Sequence, residues 1–496
     1  MMVEDTLSKG VGSIHSDFEL NIQTLCKTFS NMHDFKMKIF EIKERKIGIA
    51  FVDSITNKDI VNSRIINEIY KLDLSGTVLD LPIAHIKSTD NFKSIYSGIL
   101  EGNVALFEEN SNIAYLVDTG LFESRAILEP DSEKIIVGSH DGFVESLNKN
   151  VNLLRNRIRT PYLKNELLRV GEGEITTNVS ILYVENIANP EVIKKVKDRI
   201  STIKLENNLT PGKLEEFIED SSYSLFPQIL ETERPDRVTA NLLDGRIAVL
   251  IEGSAMASIM PVTFFSFYQS PDDYNTRFIL GSFLRAIRLI SFFISISLPS
   301  IYIAIVSFHY EVLPYELVTN IKASLEYVPY PPVIEALIMQ ITLELLREAA
   351  IRLPSSMAQT VAIVGGLVIG TAIVEANLVS NTMIIVIAIT AISSFTVPIF
   401  EMSSSIRLLS FPMIIAASLL GVVGIVTGFM FLMIHLVKLE SFGAPYFAPL
   451  GPIRMTDLKD SLIRVPMWKM KSRPSTAQPI DQEQSTGKKG WVEDGE

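Results

Sequence analysis

Four apolar runs lie between residues 287 and 437, each long enough to cross a bilayer and separated by short loops that carry prolines and most of the local charge. About 20 helical residues at a rise of about 1.5 Å cover the hydrocarbon core, so runs of this length restrict the region to membrane-spanning helices. The residues ahead of it are soluble in character. At 496 residues the chain exceeds one compact domain. Its net charge of −12, with no basic domain, speaks against nucleic acid as a partner. Cys26, the single cysteine, excludes an internal disulfide. The opening MMVEDTLSKGVGSIHSDFEL has neither the basic segment nor the apolar core of a secretory signal, so the soluble half is expected in the cytoplasm.

That soluble half repeats itself. Residues 46–72, KIGIAFVDSITNKDIVNSRIINEIYKL, read as a short apolar strand, a turn on Asp53 and Asn57, and a helix. Residues 178–205, NVSILYVENIANPEVIKKVKDRISTIKL, keep the same order, with Asn189 and Pro190 opening the helix. A second pair, YSGILEGNVALFEENSNIAYLV from Tyr96 and VTANLLDGRIAVLIEGSAMASIMPV from Val238, reads as two hairpins. In each, an acidic residue and a glycine (Glu101 and Gly102; Asp244 and Gly245) lead into a β-rich run. The reading is two tandem α/β subdomains of one ancestral plan, at 40–145 and, with the junction to the membrane half, at 172–285, after a polar leader at 1–39.

Between them Leu147, Val151, Leu154 and Ile158 fall at helical spacing, while Lys149, Arg155, Arg157, Arg159, Lys164 and Arg169 make the surface basic. A solvated connecting helix over 146–171 and a contact surface for an acidic partner both fit this pattern. The chain has no GxxxxGK[ST] phosphate loop, no HExxH and no GxSxG. Its histidines are scattered, whereas zinc ligands cluster. Neither an enzymatic role nor a cofactor is expected.

At the junction, TERPDRV (with Arg234, Pro235 and Asp236), LLDGRIAVLIEG, SPDDY (with Asp272) and GSFLRAIR (with Arg285 and Arg288) follow one another into the first apolar run. With PPVIEALIMQITLELLREAAIRLP, AQTVAIVGGLVIGTAIVEANLVS and FGAPYFAPLGP further on, they resemble the A subunits of the GerA family of spore germination receptors. The resemblance covers residues 46–452 and is densest from 231 onward. One departure is GSHDGF at 138–143, where the family more often has a Gly-Pro-Arg opening. The six named junction residues are expected to couple the two halves because they lie between them.

The first span is expected at 286–308 with a kink at Pro299. Arg277, Arg285 and Arg288 ahead of it favour a cytoplasmic soluble half by the positive-inside rule. FFSFY at 264–268 reads either as an interfacial aromatic anchor or as a buried strand end. Residues 333–353 have helical length but carry Glu335, and their Gln340, Glu344, Arg347, Glu348 and Arg352 gather within about 140° of arc. The expectation is an amphipathic helix at the membrane surface or against other subunits, with Glu344–Arg347 and Glu348–Arg352 as pairs.

The second span, 356–376, sets Thr360, Val364, Leu367, Thr371 and Glu375 within about 80° of one face and Ala362, Gly366 and Gly370 on the other. The small face suits close helix packing. The opposite face would line a pore with a hydrophobic constriction if several copies surrounded an axis. A packed bundle helix whose threonines bond to their own backbone fits the same pattern, and Glu375 also reads as a helix end in water. The third and fourth spans are expected at 382–400 and 411–437, joined by the loop EMSSSIRLLS. The basic excess after the fourth (Lys438, Arg454, Lys459, Arg464, Lys469, Lys471 and Arg473) returns the tail, 438–496, to the cytoplasm, with disorder from 473. In that scheme the loop at 377–381 is cytoplasmic although it has no Lys or Arg.

The expected fold class is therefore tandem α/β cytoplasmic subdomains followed by an α-helical polytopic membrane domain of about four spans plus an amphipathic helix. The resemblance implies the A subunit of a nutrient germinant receptor in the inner membrane of a bacterial spore. It also implies the partners: further copies of the chain, a transporter-like B subunit holding the nutrient pocket, a lipoprotein C subunit, membrane lipid, and monovalent cations passing through an oligomeric nutrient-gated channel. A solute transporter subunit would instead predict inverted repeats or broken helices around a polar midplane site. A non-conducting scaffold would predict that the face from Thr360 to Glu375 is indifferent to substitution.

Overall fold

Short β-rich runs punctuated by Gly, Asn and Asp build two antiparallel sheets in the computed structural model, which describes residues 12–42, 45–71, 86–120, 130, 133, 135, 137–173, 175–352 and 370–484. The first sheet holds β1 (Phe35–Ile42), β2 (Arg45–Val52), β3 (Ile86–Thr89), β4 (Val104–Glu108) and β5 (Ala114–Val117) in the order β1-β2-β4-β5-β3. The second holds β6 (Leu163–Val170), β7 (Thr177–Val184), β8 (Leu230–Thr232), β9 (Ile247–Ile251) and β10 (Ala257–Met260) in the order β6-β7-β9-β10-β8. Strand for strand, the two orders are the same. Each second strand leads into a helix opened by an asparagine: Asn57 caps a helix over 58–69 that contains a π-helical turn, and Asn189 caps Pro190–Ser201.

The second repeated pair differs from the two plain hairpins expected. A helix comes first in each, Phe92–Leu100 and Pro235–Leu243, and the hairpins β4–β5 and β9–β10 follow. Gly102 (φ +92°) and Gly245 (φ +96°) close those helices in the left-handed conformation that glycine adopts without strain. These helices are short and partly apolar, and a short apolar segment carries too little period to separate helix from strand.

The stretch read as a polar leader carries β1 and the helix Phe18–Thr28, whose Phe18, Ile22 and Leu25 enter the core of the first unit. The connector carries the helix Leu147–Arg157 and then β6, an edge strand of the second sheet. Its basic face is smaller than expected, because the Arg155 and Lys164 side chains are only 1% exposed. Arg155 donates to both Asp34 oxygens at 2.7 and 2.8 Å, and Asn152 donates to the Ser54 carbonyl at 2.7 Å. This helix thus fastens one sheet unit to the other. Its positive charge is used internally because a buried guanidinium requires a paired carboxylate.

Among the described residues, Phe278–Phe308 and Phe400–Leu420 are long and apolar enough to cross a bilayer, while Asn381–Phe395 and Val422–Lys438 are apolar but shorter. The expected fourth span is not one helix. Its polar lead-in, EMSSSIRLLS, is helical, and the chain reverses at Gly421 (φ +60°, ψ −137°) so that Val422–Lys438 returns along Phe400–Leu420. A Cβ on Gly424 would strike the Ala416 carbonyl, which is how closely the two backbones approach.

The helix Pro332–Ile351 also departs from the surface position expected of it, since it packs within the bundle against Phe278–Phe308, Asn381–Phe395 and Phe400–Leu420. Glu335 near its start meets Ser380, and Arg347 near its end meets Ser394, so it runs beside Asn381–Phe395 in the same direction. His309 lies at the Gly421 reversal, whereas Ser405 and His435 contact Leu225 and Ser224 of the sheet half. The Ser380 loop therefore lies toward the end of the bundle away from the sheets, opposite to the expectation for 377–381, and its lack of Lys and Arg ceases to be anomalous.

Residues 353–369 lie outside the described residues, and with them Thr360, Ala362, Val364, Gly366 and Leu367. After the bundle come β11 (Glu440–Ser441) and β12 (Ala444–Pro445) and a tail with short helical turns at Leu458–Ser461, Met467–Lys469 and Ser475–Ala477. The tail docks where disorder was expected, with Ile480 N–H bonded to the Ile187 carbonyl at 2.8 Å and Arg473 Nε to the Leu243 carbonyl at 2.9 Å. Residues 485–496 lie outside the described residues.

Candidate functional site

The two halves meet at a buried ionic cluster built from three separate stretches. Ser270 caps the short helix Pro271–Asn275 in a capping box with Asp273, which holds Asp273 at the head of the long helix Phe278–Phe308. Asp273 and Arg285 are both fully buried and 3.4 Å apart, and Arg288 reaches Asp273 at 2.8 Å. Arg285 continues to the Asp460 carboxylate of the tail at 3.1 Å. Arg464 of the tail donates to the carbonyls of Asp273, Tyr274 (3.1 Å) and Thr276 (2.7 Å). Burial, and then the Asp460 carboxylate, hold the Tyr274 phenol well above its ordinary range, so it remains the donor in its 2.7 Å bond to Asp460. A Cβ on Gly281 would stand 2.7 Å from the Asp273 carbonyl, so only glycine lets the long helix approach this turn.

Of the residues expected to couple the halves, Arg285 and Arg288 sit in this cluster. Arg234, Pro235 and Asp236 sit one layer back. Pro235 opens its helix, and Arg234, fully buried, pairs with Asp236 at 2.7 Å and donates to the Ser139 carbonyl at 2.8 Å. Asp272 accepts from the Val137 amide at 3.4 Å. Asp273, Tyr274, Asp460 and Arg464 were missed. The first two lie inside SPDDY, but nothing local marks two tail residues as partners of a helix 175 residues earlier.

An aromatic knot backs the cluster. Phe264, Phe265, Phe267 and Tyr268 are all buried, so FFSFY is core and not an interfacial anchor. The Phe264 ring lies 5.4 Å from Phe292 of the long helix and 5.6 Å from Phe447 after the bundle. Sheet, bundle and tail therefore share one core.

Inside the bundle, polar side chains descend the helix Pro332–Ile351. Glu335, fully buried, accepts the Ser380 amide at 2.8 Å; Gln340 donates to Ser410 at 3.0 Å; Glu344 pairs with Arg347 at 2.9 Å and Arg407 at 3.1 Å. Arg347 also stacks 4.6 Å over Phe395. The Glu348–Arg352 pair at the end is exposed. The short helix Gly370–Glu375 leaves Thr371 and Glu375 exposed, and a Cβ on Gly370 would meet nothing within 4 Å. Ionisable side chains inside an apolar bundle are costly and mark functional paths more often than packing. Among the described residues no His, Cys, Asp or Glu group has the arrangement of a metal site.

Comparisons with known proteins show which family the sequence belongs to. A family model described as "Bacillus/Clostridium GerA spore germination protein" matches residues 23–476. Spore germination protein A1 of Bacillus subtilis (strain 168) is 43% identical over 381 residues, 77% of this chain and 79% of that one. Spore germination protein KA of the same organism is 36% identical over 455 residues, 90% and 83% of the two chains. A relative named uncharacterized membrane protein YfkQ, also from Bacillus subtilis (strain 168), is 40% identical over 396 residues, 80% and 77%. Among solved structures, the N-terminal domain of the A subunit of the Bacillus megaterium spore germinant receptor GerK3 is 26% identical, covering 52% of this chain and 99% of that one with a TM-score of 0.41. With a family model spanning nearly its whole length, this chain belongs to the GerA family of spore germination proteins.

Proposed function

We propose that this chain is the A subunit of a nutrient germinant receptor, organised as tandem α/β units in the cytoplasm of the spore core and a helical domain in the spore inner membrane. Copies of it, assembled with a transporter-like B subunit and a lipoprotein C subunit, form a cation channel that nutrient binding opens. The observation that carries this reading is the line of polar and ionisable groups within the apolar bundle, with Glu335, Gln340 and Arg407 buried and Glu344 and Arg347 partly so. The pore itself is assigned to the face of Thr360, Val364, Leu367, Thr371 and Glu375, with Val364 and Leu367 as its constriction. Ala362, Gly366 and Gly370 form the packing face, and Gly370 has open space for a neighbouring helix. The buried junction carries the signal between the halves. A ligand must favour the open state by on the order of 5 kcal/mol to switch it nearly completely.

Cation flux from proteoliposomes tests the assignment by comparing the natural chain with Leu367→Ser. The expected result is little flux from the natural chain and constitutive flux from the variant. If neither conducts, the B and C subunits are added, and silence in the complete assembly would mark the chain as a non-conducting scaffold.

A further inference from the structure

A cavity of about 440 Å³ opens where three parts of the chain meet: the helix Pro235–Leu243 with the turn after it, the capped turn at Asp273, and the tail between 456 and 484. Its size suits a small ligand, for which pockets of about 300–1,000 Å³ are usual. The charges on its walls divide into those already satisfied and those that are not. Asp236 is engaged by Arg234 (2.7 Å), Arg237 by Glu133 (2.7 Å), and Asp460 by Arg285 (3.1 Å) and Tyr274 (2.7 Å). Asp457 accepts from the Ser475 amide at 3.2 Å.

Four cations remain on the lining without an ion pair among the described residues, Arg246, Lys459, Lys469 and Lys471. Arg246 lines the cavity at 6% exposure and gives Nη1–H to Asn241 at 2.7 Å, but its buried Nε has no hydrogen-bond partner among the described residues. An unsatisfied buried donor is costly, and the guanidinium fork matches the oxygens of an oxyanion. Lys459, Lys469 and Lys471 stand exposed on the same lining, with no ion pair among the described residues. Asp244 and Asp457 are the acids on the lining with no ion pair among the described residues; burial pushes the Asp244 carboxyl up to about 6, with Arg246, Asp460 and Arg473 as the charged groups around it.

We propose that this cavity binds a small phosphate-bearing anion, which pairs with the Arg246 guanidinium inside and the lysine ammonium groups at the mouth. Phosphate fits better than a single carboxylate because its dianion presents three acceptor oxygens to cations converging from different sides. The tail supplies one wall, and Asp460 of that wall shares Arg285, at the head of the first spanning helix, with Asp273. Occupancy therefore fastens the tail to the junction and gives the soluble half a ligand of its own, independent of any nutrient held by a partner. The phosphate has two possible sources, a soluble metabolite and an anionic lipid headgroup, since the cavity also borders Asn275, three residues before the long helix begins.

Equilibrium dialysis of the full chain in nanodiscs of zwitterionic lipid, with radiolabelled inorganic phosphate as the probe, tests this. Saturable binding is expected, weakened about tenfold or more both by Arg246→Gln and by the double substitution Lys469→Gln with Lys471→Gln. The lysine pair is exposed, so its melting temperature should match that of the natural chain and the loss cannot be misfolding. Asp244→Asn should tighten binding at pH 7.5, about where the natural carboxylate is ionised, and should leave only the pH dependence of phosphate itself. Repeating the measurement with anionic lipid, at an ionic strength that screens surface charge, separates the sources: loss of phosphate binding identifies a headgroup occupant, and unchanged binding a soluble one. The absence of saturable binding, or binding that both cation substitutions leave unaltered, would overturn the proposal.

Discussion

Asp273 neutralises two arginines that no water reaches well, since it and Arg285 are fully buried and Arg288 is 12% exposed. Breaking such a pair on one side leaves an uncompensated buried charge, at a cost of about 3–5 kcal/mol. Asp273→Asn is therefore expected to destabilise the solubilised chain by that order, read as a lower denaturation midpoint. Glu348→Gln, at the exposed end of Pro332–Ile351, should leave the midpoint where it is, because a solvated ion pair contributes little. The sequence marked Arg285 and Arg288 through their place before an apolar run. It could not mark Asp460 or Arg464, because charge in a tail looks the same whether it is solvated or buried.

At the scale of elements, the reversal at Gly421 depends on a backbone conformation that is essentially reserved for glycine, φ +60° with ψ −137°. Gly421→Ala should cost about 1–3 kcal/mol for the backbone alone. A Cβ there would also press on Phe308 at 3.1 Å and His309 at 3.3 Å. Faster proteolysis at the reversal than in Leu420→Ala is the expected readout. A second element-level device lies where the sheet half meets the head of Phe400–Leu420. Burial, followed by the charge of Glu401, pushes Glu231 up to about 7; burial, followed by Glu401 and Glu231, pushes Glu215 up to about 8. Both then hold a proton in the folded chain that the unfolded chain has released above about pH 4.5. Folding stability from this source accordingly falls as pH rises from about 4.5 to about 8. The melting temperature should be lower at pH 8 than at about pH 6, and Glu215→Gln with Glu231→Gln should flatten that slope.

Across the whole molecule, sheet, bundle and tail are closed on one another, so their stabilities are linked. The Ile480 amide, bonded to the Ile187 carbonyl at 2.8 Å, should exchange slowly with deuterium, whereas a disordered tail would exchange at once. Asp460→Ala, which removes the tail's carboxylate from Arg285 and Tyr274, should speed that exchange. By itself the sequence determined that apolar helices follow a β-rich half, that Asn57 and Asn189 open equivalent helices, and that the chain carries the motifs of the GerA family. Those features are local, because strand alternation, helix caps and apolar length are written in neighbouring residues. Only the tertiary structure decided that Pro332–Ile351 packs inside the bundle, that the run from 411 to 437 folds back at Gly421, and that the tail completes the junction. The polar arc of an amphipathic helix is satisfied equally by water or by Ser380, Ser410 and Arg407, and an apolar run containing a glycine reads as continuous until two backbones meet there. Sequence pattern records each residue's polarity and period, but not which distant partner will satisfy it.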